Sequence, residues 1–238
     1  MKVIAVIPAR LESQRLPRKM LREIGGHPLA ACVYRAVRQS PLLDDVIIAT
    51  DSQEILDACS QHSCNARMTL DKHRSGTERV HEISQSVAAD VYINVQGDEP
   101  MIRAEHIETL VRLMEEQSIP VGTLKTTASA EDIANPNAVK VVADLSGRAL
   151  YFSRSTIPYD RDATRPKYFK HLGIYAYRKT ALDQFMTLPE SSLERAERLE
   201  QLRFVENDIP IYVAETQYDS IGIDTEEDFA RVQKLLSR

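Results

Sequence analysis

The sequence predicts an α/β protein built on a doubly wound, mostly parallel, Rossmann-like sheet with a smaller antiparallel subregion inserted into it. Three observations support this class. Short apolar runs alternate with helical spacing over the first 120 residues, as they do when helices cover both faces of a parallel sheet. After Pro120, β-branched and aromatic stretches are separated by turn signals. No internal repeat or low-complexity linker divides the 238 residues, which favours a single compact unit.

The elements of the first half follow from their apolar spacing. Continuous apolar runs predict strands at residues 3–7, 46–49 and 91–95, with a weaker strand at 65–70. Spacings of three and four residues predict helices at 29–37, 77–87 and 104–116. A further helix should follow Thr50, Asp51 and Ser52, because their side-chain oxygens can cap its first turn.

The second half of the sequence has a different pattern of apolar and turn residues. Strand-like stretches occupy residues 121–127, 138–142, 149–152 and 168–177, and turn residues such as Asn135-Pro136-Asn137 separate them. We expect these four stretches to form the antiparallel extension. Helices are predicted at 193–203 and 225–236, with a strand at 209–215 between them.

Charge and hydropathy exclude several functional classes. The formal net charge is −5, yet residues 1–22 contain six cationic side chains and a single acidic one. A basic island on an acidic protein argues against general nucleic-acid binding and favours one local anionic ligand. No run approaches the roughly 18 apolar residues that a membrane span requires. Pro8 and Arg10 come too early for a signal peptide.

Cysteine usage indicates the cytoplasm. Cys32, Cys59 and Cys64 are odd in number and include no C-x-x-C pair. Their spacing lacks the second ligand pair of a structural zinc site. We therefore expect reduced thiols that pack as small apolar groups.

Candidate functional residues follow the strands, because ligands of open α/β sheets bind outside the carboxyl ends of the strands. Arg10, Arg15 and Lys19 follow the first strand. Neither a P-loop nor a G-x-G-x-x-G motif accompanies them, which argues against Walker-type kinases and dinucleotide-dependent dehydrogenases. Three cations at this position suit the phosphates of a nucleoside triphosphate. The alternative is a solvated basic loop.

Two carboxylates are candidates for Mg²⁺, a cation that prefers one or two carboxylates together with substrate phosphates. Asp98 follows the strand at 91–95, although an aspartate after a glycine also commonly forms a turn. Asp224 ends another apolar stretch, but it could instead be the N-cap of the last helix. His171 lies within a strand-like run, where a lone histidine is more often structural than catalytic.

Motifs spread over nearly the whole chain resemble one family. Ile7-Pro8-Ala9-Arg10, followed by Ser13, Arg15, Leu16, Pro17 and Lys19, resembles the signature of sugar-acid cytidylyltransferases. The later motifs, in this order, look like those of the 3-deoxy-manno-octulosonate (Kdo) cytidylyltransferases. They are Ser75-Gly76-Thr77-Glu78-Arg79, Asn94-Val95-Gln96-Gly97-Asp98-Glu99-Pro100, Asn135-Pro136-Asn137-Ala138-Val139-Lys140, Tyr151-Phe152-Ser153-Arg154, His171-Leu172-Gly173-Ile174-Tyr175, Leu199-Glu200-Gln201-Leu202-Arg203 and Asp224-Thr225-x-x-Asp228.

The resemblance implies a nucleotidyltransferase fold and an enzyme that transfers CMP from CTP to the anomeric hydroxyl of Kdo for lipopolysaccharide biosynthesis. It implies Arg10, Arg15, Lys19 and Asp98 as catalytic residues, with Mg²⁺ held by Asp98 and Asp224. The implied CTP-binding residues are Pro8, Ala9, Arg10, Arg15, Lys19, Ser75, Gly76 and Arg79. The implied sugar-acid residues are Gln96, Arg154, His171, Glu200 and Gln201.

The resemblance also implies a division of labour and a homodimer. Residues 1–120 would mainly bind nucleotide, residues 121–215 would mainly bind the sugar and form the dimer, and residues 216–238 would return to the nucleotide half. Two positions depart from the family pattern. Arg18 replaces a usual glycine, so we expect either ordinary backbone dihedrals there or an additional phosphate contact. Arg74 adds charge at the nucleotide edge.

Three other functions are compatible with parts of the pattern. The acceptor could be a related sugar acid, namely the 8-amino analogue of Kdo or a phosphonate. A catalytically silent nucleotide-binding paralogue is a second alternative, and the presence of both Asp98 and Asp224 argues against it. An RNA-binding module is the third, and the acidic net charge and the lack of aromatic residues among the basic ones disfavour it.

Overall fold

The structure is a computed structural model that describes residues 1–13 and 15–236. Its strands, in chain order, are β1 Val3–Ala9, β2 Glu23–Ile24, β3 His27–Pro28, β4 Asp45–Thr50, β5 Ala66–Met68, β6 Val91–Asn94, β7 Val121–Thr127, β8 Lys140–Ala143, β9 Ala149–Ser153, β10 Phe169–Arg178 and β11 Ile211–Glu215. Its helices are α1 Leu29–Arg38, α2 Gln53–Gln61, α3 Gly76–Ser86, α4 Ala104–Leu113, α5 Ala130–Ala134, α6 Lys179–Thr187, α7 Ser192–Glu197, α8 Leu202–Glu206 and α9 Glu226–Leu236, with a 3-10 turn at Lys19–Leu21.

The predicted fold class is confirmed. Among the described residues, one large sheet has the strand order β11-β7-β10-β6-β1-β4-β5, and β8 and β9 join it through β10. β1 pairs in parallel with both β4 and β6, so Val6 lies opposite Ile47 on one side and Asn94 on the other. β10 runs antiparallel to both of its neighbours in the main order. The carboxyl ends of β1, β4 and β6 therefore meet at one edge.

The four strands predicted to be antiparallel do pair with one another in that sense. β10 is antiparallel to β7, and the hairpin of β8 and β9 contacts β10 where Lys140 pairs with Lys170. They are not separate from the main sheet, because β10 also pairs with β6 and β7 pairs in parallel with β11. β-branched content marks buried strands of either direction, so it could not show that β7 and β10 lie within the main sheet.

Helix predictions differ from the structure at four places. The helix expected at 193–203 is two helices, α7 and α8, because Arg198 takes a left-handed conformation with φ of 54°. α4 ends at Leu113 instead of residue 116. α5 and α6 were not predicted. α5 has only five residues and depends on a capping box of Ser129 and Asp132, whereas α6 begins directly after β10.

Both faces of the sheet are buried, as the uninterrupted apolar strands require. In β1, Val3, Ala5 and Ile7 join one hydrophobic cluster, while Ile4 and Val6 join the cluster on the opposite face. Burial on both sides fixes the register of β1, since a shift by one residue would exchange the two sets. The three cysteines are free thiols. In the described part of the chain, no helix is both long and apolar enough to cross a membrane.

Candidate active site

A cleft of about 430 Å³ lies at the carboxyl edge of the sheet. It opens where β1 ends, beside the loop after β6 and the N-terminus of α3. The structure brings most of the predicted nucleotide and metal residues together here. Those that line the cleft are Pro8, Arg10, Arg15, Lys19, Ser75, Gly76, Asp98 and Asp224, and Gln96 of the predicted sugar-acid set lines it as well.

Lys19 is the centre of this cleft. Its Nζ donates to Asp98 Oδ2 at 2.7 Å and to the Ile223 carbonyl at 2.7 Å. The same ammonium lies 3.5 Å from Asp224 Oδ1, and Arg15 contacts that oxygen at 3.0 Å. Because Lys19 is buried, its charge is held in place rather than solvated. The basic loop and the two predicted metal carboxylates therefore form one cluster, which excludes a solvated loop for Lys19.

Asp224 is not the N-cap of the last helix. Thr225 Oγ1 accepts from the amide of Asp228 at 3.1 Å, and Asp228 Oδ2 accepts from the amide of Thr225 at 2.9 Å. These reciprocal bonds cap α9 and leave the Asp224 carboxylate facing the cleft.

Gly97 allows Asp98 to reach this position. A Cβ at residue 97 would lie 2.5 Å from the carbonyl oxygen of Pro8 and 3.1 Å from the sulfur of Met20. Backbone cannot yield at that distance, so only glycine lets the loop after β6 pass this close to β1. Close approach here places Asp98 beside Lys19.

Two predicted nucleotide residues do not line the cleft. Ala9 has no exposed surface, and among the described residues neither Ala9 nor Arg79 borders either cavity. Arg79 is fully buried below the site, where it pairs with Asp51 and donates to Thr69 Oγ1 at 2.6 Å. The expected contact of Arg79 with cytidine is therefore wrong for this conformation. Arg79 instead ties the end of β4 to the loop that precedes α3.

Arg18 contradicts both expectations for it. Its φ of 55° lies in the left-handed region that the usual glycine adopts easily. Its guanidinium pairs with Glu54 on α2, and among the described residues it is not part of the cleft wall. Arg74, the other departure, does line the cleft.

Replacing Arg18 with glycine should change the free energy of unfolding by no more than about 1 kcal/mol. Relief of the left-handed conformation is worth ~1–2 kcal/mol, and it offsets the lost exposed ion pair and the greater freedom of the unfolded chain. The matched control is Arg22→Gly, because Arg22 has φ of −68° and packs over the Phe229 ring at 4.2 Å. Urea denaturation should show Arg22→Gly to be the less stable variant by about 1–2 kcal/mol. Equal losses of stability in Arg18→Gly and Arg22→Gly would contradict backbone strain at Arg18.

A second cavity, of about 1190 Å³, adjoins the cleft. The two share Arg15, Gly76, Gln96 and Asp224 as wall residues. All five predicted sugar-acid residues line it, namely Gln96, Arg154, His171, Glu200 and Gln201. The two adjoining cavities are thus lined by all the predicted ligand residues except Ala9 and Arg79.

His171 is held as a neutral hydrogen-bonding group. Its Nε2 lies 2.9 Å from Thr123 Oγ1, and that hydroxyl donates to the Ile174 carbonyl at 2.7 Å. The hydroxyl proton is thereby used, so Nε2 carries a proton and Nδ1 is an acceptor. Burial lowers the pKa of His171 to about 3. A histidine with such a pKa stays neutral and does not exchange protons near neutral pH.

The buried state of His171 predicts a pH effect on stability. Between the unfolded pKa of about 6.5 and the folded pKa of about 3, only the unfolded chain binds the proton, so stability falls as the pH decreases. By pH 5 this one group should lower the free energy of unfolding by about 2 kcal/mol relative to pH 8. Urea titrations at pH 8, 6 and 5 give the free energy of unfolding of both proteins. Between pH 8 and pH 5 this free energy should fall by about 2 kcal/mol less in His171→Gln than in the wild type. Parallel profiles for the two proteins would contradict a neutral His171.

Several site residues had little or no sequence signal. Lys170 Nζ lies 2.8 Å from Asp219 and 3.5 Å from Asp132, and all three line the larger cavity. Asp132 lies on α5 and Asp219 lies in the loop after β11, far apart in the chain, so spacing could not link them. Glu99 also lines this cavity, and burial together with the neighbouring Asp98 raises its pKa to about 7. Its position after β6 and its place in the motif around Asp98 gave it no predicted role.

Comparisons with known proteins agree with this geometry. The family model for Cytidylyltransferase matches residues 4–216. A 3-deoxy-manno-octulosonate cytidylyltransferase of Koribacter versatilis is 65% identical, over 99% of this chain and 90% of that protein. The corresponding protein of Escherichia coli is 44% identical, over 100% of this chain and 97% of that protein. The solved structure of CMP:2-keto-3-deoxy-manno-octonic acid synthetase complexed with CTP matches with a TM-score of 0.96 and 44% identity, covering 100% of this chain and 99% of the other.

The fold and the cleft define a nucleotidyltransferase, with a cationic loop and two carboxylates at the carboxyl edge of a parallel sheet. The matches extend over almost the full length of both partners. The chain therefore belongs to the cytidylyltransferase family, and within that family to the 3-deoxy-manno-octulosonate cytidylyltransferases.

Proposed function

We propose that the protein transfers CMP from CTP to the anomeric hydroxyl of Kdo and releases pyrophosphate, as a step in lipopolysaccharide biosynthesis. The observation that carries this proposal is the cluster around Lys19, which opens directly onto a larger polar cavity. The cleft around Lys19 suits a triphosphate, and the larger cavity suits a polyhydroxylated acid. The names of the full-length relatives identify the same pair of substrates.

The reaction is a displacement at the α-phosphorus of CTP. The anomeric oxygen of Kdo forms the new bond to phosphorus and releases its proton to water. The bond to the bridging oxygen breaks, and pyrophosphate leaves with both electrons of that bond. Arg10, Arg15 and Lys19 neutralise the triphosphate and the departing charge. In the described part of the chain no ion pair includes Arg10, so its guanidinium is available for phosphate. Catalysis is then mainly positioning and charge neutralisation.

The residues present fit Mg²⁺. Asp98 and Asp224 both contact Lys19 and both line the cleft, and these two carboxylates are the hard oxygen donors that Mg²⁺ accepts together with phosphate oxygens. The described residues contain no preformed cluster of three or more acidic, histidine or cysteine ligands, which suits an ion that arrives with the nucleotide. When bound, it would supply charge neutralisation to the attacking and leaving oxygens. Two carboxylates in this position also argue against a silent paralogue.

The larger cavity offers the groups that a sugar acid requires. Arg154 provides a cation for the carboxylate, while Gln96 and Gln201 provide amides for hydroxyls. Burial raises the pKa of Glu200, and its carboxyl accepts from Thr77 Oγ1. We assign residues 1–120 mainly to the nucleotide and residues 121–215 mainly to the sugar, with residues 216–238 completing the nucleotide half.

We further propose a homodimer formed through residues 121–215, in the cytoplasm. The hairpin of β8 and β9 exposes Leu145 and Leu150, and Tyr159 is 86% exposed in the loop that follows. Apolar side chains exposed together commonly mark an interface. Free thiols support a reducing compartment. Sedimentation velocity should detect a dimer, and Leu150→Asp should weaken it.

A comparison of acceptors tests the proposed function. Pyrophosphate release should be measured with CTP and Mg²⁺ against Kdo, its 8-amino analogue and a phosphonate of similar size. The highest kcat/KM should belong to Kdo. Preference for the 8-amino sugar would keep the chemistry and reject the acceptor.

A further inference from the structure

The segment Asn135-Pro136-Asn137-Ala138-Val139-Lys140 joins α5 to β8 and has no assigned role in the proposed reaction. Its first five residues line the larger cavity. Lys140, at its end, has no exposed surface and is not among the described wall residues. A lysine in such a position cannot touch a ligand directly, so its effect must pass through its neighbours.

The Lys140 ammonium holds the backbone of this segment. Its Nζ donates to the carbonyl oxygens of Asn135 at 2.8 Å and Ala138 at 2.5 Å. Arg154 Nη1 donates to the carbonyl of Pro136, between them, at 3.1 Å. Three of four consecutive carbonyls therefore point toward two cations. The pairing of β8 with β9 fixes the positions of both cations, because Lys140 lies opposite Ser153, the residue before Arg154.

Neither cation has a carboxylate of its own. Among the ion pairs of the described residues, none includes Lys140 or Arg154. The guanidinium of Arg154 is bound by the carbonyls of Glu197, Pro136 and Arg198. The Glu197 carboxylate accepts instead from Ser153 Oγ and the Arg154 amide.

A buried ammonium bound only by carbonyls costs free energy that an apolar side chain of similar length would avoid. Burial lowers the pKa of Lys140, while Asp132 and Glu197 raise it and Arg154 lowers it further. Two cations without an ion-paired carboxylate therefore lie at the floor of this cavity, and the neighbouring charges of Asp132 and Glu197 offset part of theirs. Such a floor is suited to the carboxylate of an acidic ligand.

We propose that Lys140 is a positioning residue for the carboxylate of the acceptor, which holds the 135–138 segment and Arg154 in place and adds positive potential beneath them. This inference rests on the proposed function, because it assigns a subsite within the same cavity. It predicts that Lys140 matters for the acidic acceptor and not for the nucleotide.

Lys140→Met tests this inference, with Lys179→Met as the matched control. Lys179 pairs with Asp183 on the surface of α6. The KM for Kdo should rise at least about tenfold in Lys140→Met, comparable to the loss of one charge-assisted hydrogen bond. The KM for CTP should stay within about twofold in both variants. A second acceptor, the carboxamide of Kdo, should show no comparable change in KM, because it lacks the charge.

Lys140→Gln separates charge from simple anchoring and also serves if the methionine variant does not fold. Gln can still donate to a carbonyl, so the KM for Kdo should remain raised if charge is needed. Recovery of the wild-type KM would overturn the electrostatic role. Equal increases for Kdo, its carboxamide and CTP would overturn the inference and indicate general damage. Absence of pyrophosphate release by the wild-type protein with Kdo would instead reject the proposed function itself.

Discussion

Asp98→Asn should reduce kcat by about 10³-fold or more while the protein remains folded. The substitution keeps the size of the side chain but removes the charge that contacts Lys19 at 2.7 Å and the donor proposed for Mg²⁺. Loss of one preorganised electrostatic group typically costs ~10²–10³-fold, and here it removes a metal ligand as well. Pyrophosphate release at saturating CTP, Kdo and Mg²⁺ measures the effect.

Asp183→Asn is the control for this experiment, because Asp183 forms its ion pair with Lys179 on α6, outside the described walls of both cavities. It should keep nearly full activity. Circular dichroism and thermal unfolding should report the same fold for both variants. An Asp98→Asn enzyme that retains more than half of the wild-type kcat would refute the metal role of this carboxylate.

Lys19→Met should lower kcat/KM for CTP by about 10²–10³-fold. Lys19 is the cation shared by Asp98 and Asp224, and its Nζ is fixed by the Ile223 carbonyl. Its loss leaves Asp98 without its buried partner and removes one of the three cations that face the triphosphate, so the positive potential that attracts the nucleotide would be weaker. Steady-state kinetics with varied CTP at saturating Kdo measure the effect.

Lys179→Met serves again as the control and should leave kcat/KM for CTP unchanged. A raised Mg²⁺ concentration should recover only part of the activity of Lys19→Met, because Mg²⁺ cannot occupy the carbonyl-bound position of an ammonium. If kcat/KM for CTP stays within about threefold of the wild type, Lys19 has a structural role only.

The strands were predictable because the central sheet is buried on both faces. β1, β4 and β6 appear in the sequence as unbroken apolar runs, and such runs have few other interpretations. The parallel pairing of β7 with β11 and the split between α7 and α8 were not predictable. The first depends on a pairing between distant segments, and the second depends on a left-handed residue, Arg198, that carries no local signal.

The nucleotide side of the site was predictable for a related reason. Residues after parallel strands converge at one edge of the sheet, so Arg10, Lys19 and Asp98 could be placed together from their positions alone. Arg79 was misplaced, since a motif records that a residue is present but not whether its side chain faces a ligand or the interior. The Lys170 cluster was missed because folding alone brings its acidic partners together.

The most direct test of the central claim is a balance of products from the two substrates. With CTP labelled in the α-phosphate, Mg²⁺ and Kdo, the label should appear in CMP-Kdo, and one unlabelled pyrophosphate should form for each. Omission of either substrate should stop both products. Two results would contradict the transfer of CMP by this site. One is pyrophosphate formed without Kdo, and the other is no pyrophosphate with Kdo, its 8-amino analogue or the phosphonate.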